Sequence, residues 1–117
     1  MKKMYHLAKC TNCQAIIKET GVDKKEFIMQ DIRTEKITPA QLDEMKRMAG
    51  SYEALFSRRA IKYKELGLKN KSLEEKDYRN YILAEDTFLK RPVVIIKDKI
   101  FIGSEKKTVA ELKVATQ

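Results

Sequence analysis

Cys10 and Cys13 are the two cysteines of this 117-residue chain, and their type and spacing point to chemistry. In a Cys-x-x-Cys the second sulfur sits one helical turn past the first. From there it can attack a bond made to the first sulfur, so a Cys10–Cys13 disulfide is a natural oxidised state. A free thiol ionises near pH 8.5, and a helix N-terminus, with unpaired backbone N–H groups and the positive end of the helix dipole, favours the thiolate. Cys10 sits at the start of a helical pattern, beside Lys9 and before Thr11 and Asn12, which are candidates for capping that helix. These features mark Cys10 as the candidate nucleophile and Cys13 as its partner.

Other accounts of two cysteines stand beside this one. A structural disulfide closing so short a loop would constrain the unfolded chain little. A zinc site needs four ligands, and His6 is the one further nitrogen or sulfur donor, so such a site would have to be shared between two chains. Two unreactive, partly buried thiols are the third account, because cysteine packs well as a small hydrophobe.

The elements that must position the thiols can be read from apolar spacing. Met4 to Leu7 is a strand candidate leading into the cysteine loop. A helix follows from Asn12, with Ala15, Ile16 and Ile17 on its inner face and Gly21 as its stop. Phe27, Ile28, Met29 and Ile32 suggest a second strand, which a strand–helix–strand unit places parallel to the first. Thr38-Pro39 is a strong helix start, followed by Leu42, Met45 and Met48 at helical spacing and closed by Gly50. Tyr52, Leu55 and Phe56 suggest a short helix, and Ile61, Tyr63 and Leu66 resume the apolar pattern up to Gly67. Ser72 with Glu75 reads as a capping box for a helix whose inner face is Tyr78, Ile82 and Leu83. Residues 38–84 thus read as a helical insertion, and Glu85 to Lys90 as a polar turn.

Val93 to Ile96 is a continuous β-branched run of the kind found in strands buried on both faces, and Pro92 stands at its head, where no ladder donor is needed. Ile100 to Ile102 completes a hairpin across Lys97-Asp98-Lys99. A last helix after Gly103-Ser104 carries Val109, Leu112 and Val114. The predicted order is β-α-β, helical insertion, β-β-α. With a Cys-x-x-Cys after the first strand, this is an α/β chain of thioredoxin-like fold with a mixed four-stranded sheet, read as one domain over residues 1–117.

Composition narrows the partners. No stretch approaches the roughly 20 apolar residues of a membrane helix, and no signal peptide is legible, so a soluble, cytoplasmic protein with no membrane partner is expected. There an accessible Cys-x-x-Cys is catalytic or sensing more often than structural. The net charge of +8, from 25 basic and 17 acidic residues, suits an anionic partner. Its lysines are interspersed with glutamates in the manner of a solvated surface, and no direct nucleic-acid binding is expected.

Several segments together resemble the arsenate reductase family, in the branch that includes Spx-like regulators. They are Tyr5-His6 with Cys10, then Tyr63-Lys64-Glu65-Leu66-Gly67, then Leu89-Lys90-Arg91-Pro92-Val93-Val94, and finally Ile102-Gly103. The resemblance implies that Cys10 is the nucleophile, that Pro92 is a cis-proline facing it, and that Arg91 holds an oxyanion or stabilises a thiolate. Arg59, or Arg58 beside it, would be a second arginine contributed by the insertion. Thr11, Asn12, Arg59 and Pro92 would line the substrate site, with Cys10, Cys13 and Arg91 doing the chemistry. No tightly bound cofactor is implied; glutathione would be a co-substrate, with glutaredoxin or thioredoxin as partners.

The sequence departs from the family at Gly103, where a third arginine is expected, which weakens the case for arsenate itself. The Cys-x-x-Cys and this glycine are shared with Spx-like proteins, which bind the RNA polymerase α subunit and use the cysteine pair as a redox switch. Gly50 lies near the glycine those regulators use for that contact.

Overall fold

The computed structural model describes residues 2–117. By its internal contacts the chain forms two compact units. One runs to Glu35 and resumes at Arg91–Gln117; the other is Lys36–Lys90.

The first unit holds the whole sheet. Strand β1 (Lys2–His6), helix α1 (Thr11–Thr20) and strand β2 (Ile28–Asp31) open it; strands β3 (Val93–Ile96) and β4 (Lys99–Ile102) and the terminal helix close it. The strand order is β2-β1-β3-β4, with β1 parallel to β2 and antiparallel to β3, and β3 antiparallel to β4. This is the mixed four-stranded sheet expected from the sequence. Interior placement explains the unbroken β-branched run of β3, whose Val93, Val94 and Ile95 are all buried.

Register decides which side chains share a face. Met4 pairs with Val94, and both join Ile16, Ile17, Val22 and Leu112 in one buried cluster, so the helix following β1 and the terminal helix lie over the same face. Truncating Leu112, only 2% exposed, to alanine would cost about 2–5 kcal/mol. Gly21 ends α1 in the left-handed region at φ 67°, donating its N–H to the Ile17 carbonyl.

The second unit contains α2 (Pro39–Ala49), α3 (Ile61–Glu65) and α4 (Glu75–Ala84), joined by short 3₁₀ turns; the terminal helix of the first unit is α5 (Lys106–Thr116). Thr38 caps α2 as its sequence suggests, its hydroxyl accepting from Gln41 N–H while the Gln41 side chain accepts from Thr38 N–H. Phe56 gathers the aromatic residues of this unit, stacked on Phe88 at 5.0 Å and edge-on to Tyr78 at 4.9 Å.

Four expectations are revised. Helix α4 begins two residues later than the Ser72 signature suggests: Glu74 is the cap and Asp77 its reciprocal partner, a box made by two carboxylates in place of a hydroxyl and a carboxylate. Glu85 to Lys90 is not a polar turn, because Asp86–Phe88 winds into a 3₁₀ turn that buries Phe88 and Leu89. Ile61, Leu66 and Val114 continue an apolar spacing but are exposed, at 77%, 47% and 71%. Helix α3 is only five residues long, too short for its spacing to define a buried stripe. The hairpin turn is two residues, Lys97 and Asp98, since Lys99 already pairs with Ile96; Lys97 takes φ 57° to make it.

Candidate active site

The site is built where β1 runs out into α1. Cys10 is itself the N-cap of α1, extended at φ −83° and ψ 115°, and its side chain makes no capping hydrogen bond. Its carbonyl accepts the first intrahelical bond, from Gln14 N–H at 3.0 Å, and its N–H closes a turn onto the Leu7 carbonyl at 3.0 Å. Thr11 and Asn12 are therefore helical residues of the first turn and not its caps, as their side-chain types had suggested. Both are exposed, and their backbone N–H groups belong to the set that a helix leaves without internal partners.

The two sulfurs have different surroundings. Cys10 is half-buried; Cys13, one turn into α1, is fully buried. Both are free thiols. Burial is the main reason the Cys13 thiol is pushed up to about 12. The Leu7 backbone pulls the other way, the neighbouring Cys10 side chain pushes further up, and the Arg91 guanidinium pulls weakly down.

Arg91 is half-buried, and its charge acts weakly on the Cys13 thiol. It precedes Pro92, which is buried and joined to it by a cis peptide bond. The Pro92 carbonyl accepts from Gly103 N–H at 2.9 Å, tying the head of β3 to the residue after β4. Gly103 sits at φ 87°, in the left-handed region where a side chain is strained, with open space where its Cβ would be.

Cys10, Cys13 and Arg91 are thus brought together within the first unit. Arg58 and Arg59 belong to the second unit and differ there. Arg58 is committed to Glu53 at 2.8 Å and lies over the Tyr78 ring, whereas the exposed Arg59 enters no ion pair among the described residues. Of the two, Arg59 has the guanidinium available to an anion.

Two residues that the sequence did not single out hold the cysteine loop. Asp31, at the end of β2, accepts Ala8 N–H at 3.2 Å, and Gln14 in α1 donates its side-chain amide to the Ala8 carbonyl at 2.9 Å. The Asp31 carboxyl is held below the ordinary carboxylate range, chiefly by Arg33 N–H and then by Ala8 N–H and the His6 charge. No local signal in the sequence announces either role. Only the parallel register that sets His6 opposite Asp31 could have suggested the first.

His6 is partly buried, and its Nδ1 has no hydrogen-bond partner. Among the described residues no three His, Cys, Asp or Glu side chains converge as a metal site, and no helix is long and apolar enough to cross a membrane.

The sequence model of the ArsC family matches residues 5–112. The uncharacterised protein YfgD of Escherichia coli is 25% identical over 113 residues, with 94% of each chain covered. Among solved structures, an arsenate reductase from Vibrio cholerae superposes with a TM-score of 0.78 at 17% identity, covering 94% of this chain and 95% of that one. The solution NMR structure of a Staphylococcus aureus protein gives a TM-score of 0.75 at 26% identity, covering 95% and 97%.

Proposed function

The chain belongs to the ArsC family, and from that premise we propose that it is a thiol oxidoreductase of the cytoplasm in which Cys10 is the nucleophile. The observation that carries this reading is the asymmetry of the pair: a half-exposed thiol at the open end of a helix, with a fully buried one a turn further on. A thiolate at Cys10 faces the unpaired N–H groups of the first turn, including those of Thr11 and Asn12. Arg91 supplies positive charge to the pair, and Pro92 shapes the wall beside it.

A glutathione mixed disulfide fits this site better than arsenate does. An arsenate dianion asks for several cationic clamps, and Gly103 offers none where the family places an arginine. In the proposed cycle the Cys10 thiolate attacks the glutathione sulfur of the mixed disulfide, and the substrate thiolate leaves and takes a proton from water. A second glutathione thiolate then attacks the Cys10–glutathione bond, releasing Cys10 as thiolate and glutathione disulfide. The net reaction is an exchange: the glutathione carried in by the mixed disulfide and one free glutathione leave together as glutathione disulfide, the substrate sulfur leaves as a thiol, and the protein is unchanged.

The buried Cys13 is a poor competitor for the resolving step. With its thiol at about 12, roughly 10⁻⁵ of it is ionised at neutral pH, whereas glutathione arrives with an ordinary thiol. When Cys10 is capped, its own contribution to that rise disappears, but burial, the larger cause, stays. An external thiol, from glutathione, glutaredoxin or thioredoxin, therefore resolves the intermediate, and closure of Cys10–Cys13 is the slower branch.

Turnover of a small-molecule glutathione mixed disulfide, coupled to reduction of the glutathione disulfide formed, tests the reading. The expected result is activity that is lost in Cys10→Ser and kept in Cys13→Ala. No turnover by the reduced wild-type protein would sink it.

A second reading draws on the same buried sulfur. A pair that closes slowly suits a sensor, and an Spx-like regulator would use Cys10–Cys13 to report redox state to the RNA polymerase α subunit. Capture of that subunit by the reduced chain, altered by oxidation and without turnover, would favour it.

A further inference from the structure

We propose that Asp31 is a positioning residue for Cys10, holding the turn between β1 and α1 so that the nucleophile keeps its place at the helix end. The inference rests on reading Cys10 as the reacting group, and it concerns what keeps that group in place.

The turn from Leu7 to Cys10 hangs between two elements and is held at one residue from both sides. Ala8 donates its N–H to Asp31 Oδ2 at 3.2 Å, and its carbonyl accepts from Gln14 Nε2 at 2.9 Å. One of these partners is in β2 and the other in α1, so Ala8 is anchored to the strand beside it and to the helix ahead of it. Cys10 N–H closes the turn onto Leu7 at 3.0 Å, so its backbone follows wherever Ala8 is held.

The carboxylate is itself fixed. Asp31 Oδ1 accepts Arg33 N–H at 2.9 Å, and the Asp31 carbonyl accepts Glu35 N–H at 2.8 Å, which locks the end of β2 into a turn. The adjoining ladder continues with Ile32 N–H donating to the His6 carbonyl at 2.9 Å. Each carboxylate oxygen thus takes a different backbone N–H, one from its own turn and one from the cysteine loop. A carboxamide has a single acceptor oxygen and can keep only one of the two bonds. Ala8 is exposed, so nothing in its own packing does this work in place of the hydrogen bonds.

Asp31→Ala and Asp31→Asn in the full-length reduced protein test the proposal by two readouts: amide hydrogen exchange residue by residue, and the pH profile of iodoacetamide alkylation at Cys10. In Asp31→Ala the Ala8 amide should exchange about tenfold faster or more, while Met4 and Val94 stay within about twofold of wild type. The Cys10 alkylation rate should change by about threefold or more, with Asp31→Asn falling between alanine and wild type.

Unchanged Cys10 alkylation in both variants would overturn the proposal. So would acceleration of Met4 and Val94 together with Ala8, which would make Asp31 a general stabiliser of the sheet. If Asp31→Ala does not fold, Asp31→Asn carries the same two readouts. A wild-type Cys10 that reacts no faster than a thiol of the unfolded chain would instead remove the nucleophile reading, a failure visible without any substitution.

Discussion

Cys13 lies one helical turn past Cys10, yet Cys13 is fully buried and Cys10 half-exposed. Two identical groups three residues apart therefore differ in access and in the charge state they can hold. The reactions of this protein should follow from that inequality.

Alkylation should separate the two thiols. Between pH 7 and 9, Cys10 in the folded, reduced protein should react at least about a hundredfold faster than Cys13, whose thiol stands near 12 and is shielded from solvent. Mass spectrometry of the cysteine-bearing peptide with time would measure the ratio. Comparable rates at the two positions would contradict the buried, protonated Cys13.

The same shift makes stability fall at alkaline pH. Cys13 is raised in the folded state above its unfolded value, so its contribution is fully present below about pH 8.5 and is lost as pH rises toward 12. Denaturant midpoints from pH 8 upward should decline more steeply in wild type than in Cys13→Ala, which lacks the group. Parallel curves would show that Cys13 ionises alike in both states.

Asp43 should act at the opposite end of the pH scale. Its carboxylate accepts Arg79 Nε at 2.8 Å and the Tyr52 hydroxyl at 2.6 Å, and the arginine bond above all lowers it to about 2. A carboxyl lowered on folding stabilises above its unfolded value near 4, and that gain disappears as pH falls toward 2. Asp43→Asn should flatten the acid limb of the stability curve between pH 4 and 2. An unchanged limb would show that the Asp43–Arg79 contact is not kept in solution.

Restoring an arginine at Gly103 should not restore an arsenate site. Gly103 lies at φ 87°, and although space for a Cβ is open there, a side chain on that backbone costs on the order of 1–3 kcal/mol. The expected outcome for Gly103→Arg is a thermal midpoint lowered by several degrees with no gain in arsenate turnover. A stable variant with arsenate reductase activity would show that the missing clamp alone set the substrate.

The same backbone argument bears on Gly50, which ends α2 at φ 97°. Replacing it with arginine strains the helix end, so loss of a polymerase contact in that variant would not by itself locate the interface.

Much of this protein is determined by local sequence. The four strands, the caps at Thr38 and Gly21, and the position of Cys10 at a helix start follow from apolar period, turn residues and proline. These act over a few residues and need no knowledge of the rest of the chain. Tertiary structure decided what distance along the chain conceals. Cys13 differs from Cys10 because Cys13 turns into the interior, and burial belongs to the packed whole and not to the motif. Asp31 reaches Ala8 across 23 positions because a parallel register sets β2 beside β1, and no spacing rule connects them. Ile61 and Val114 obey the apolar pattern yet face solvent, since a periodic side chain is buried only where another element arrives to cover it.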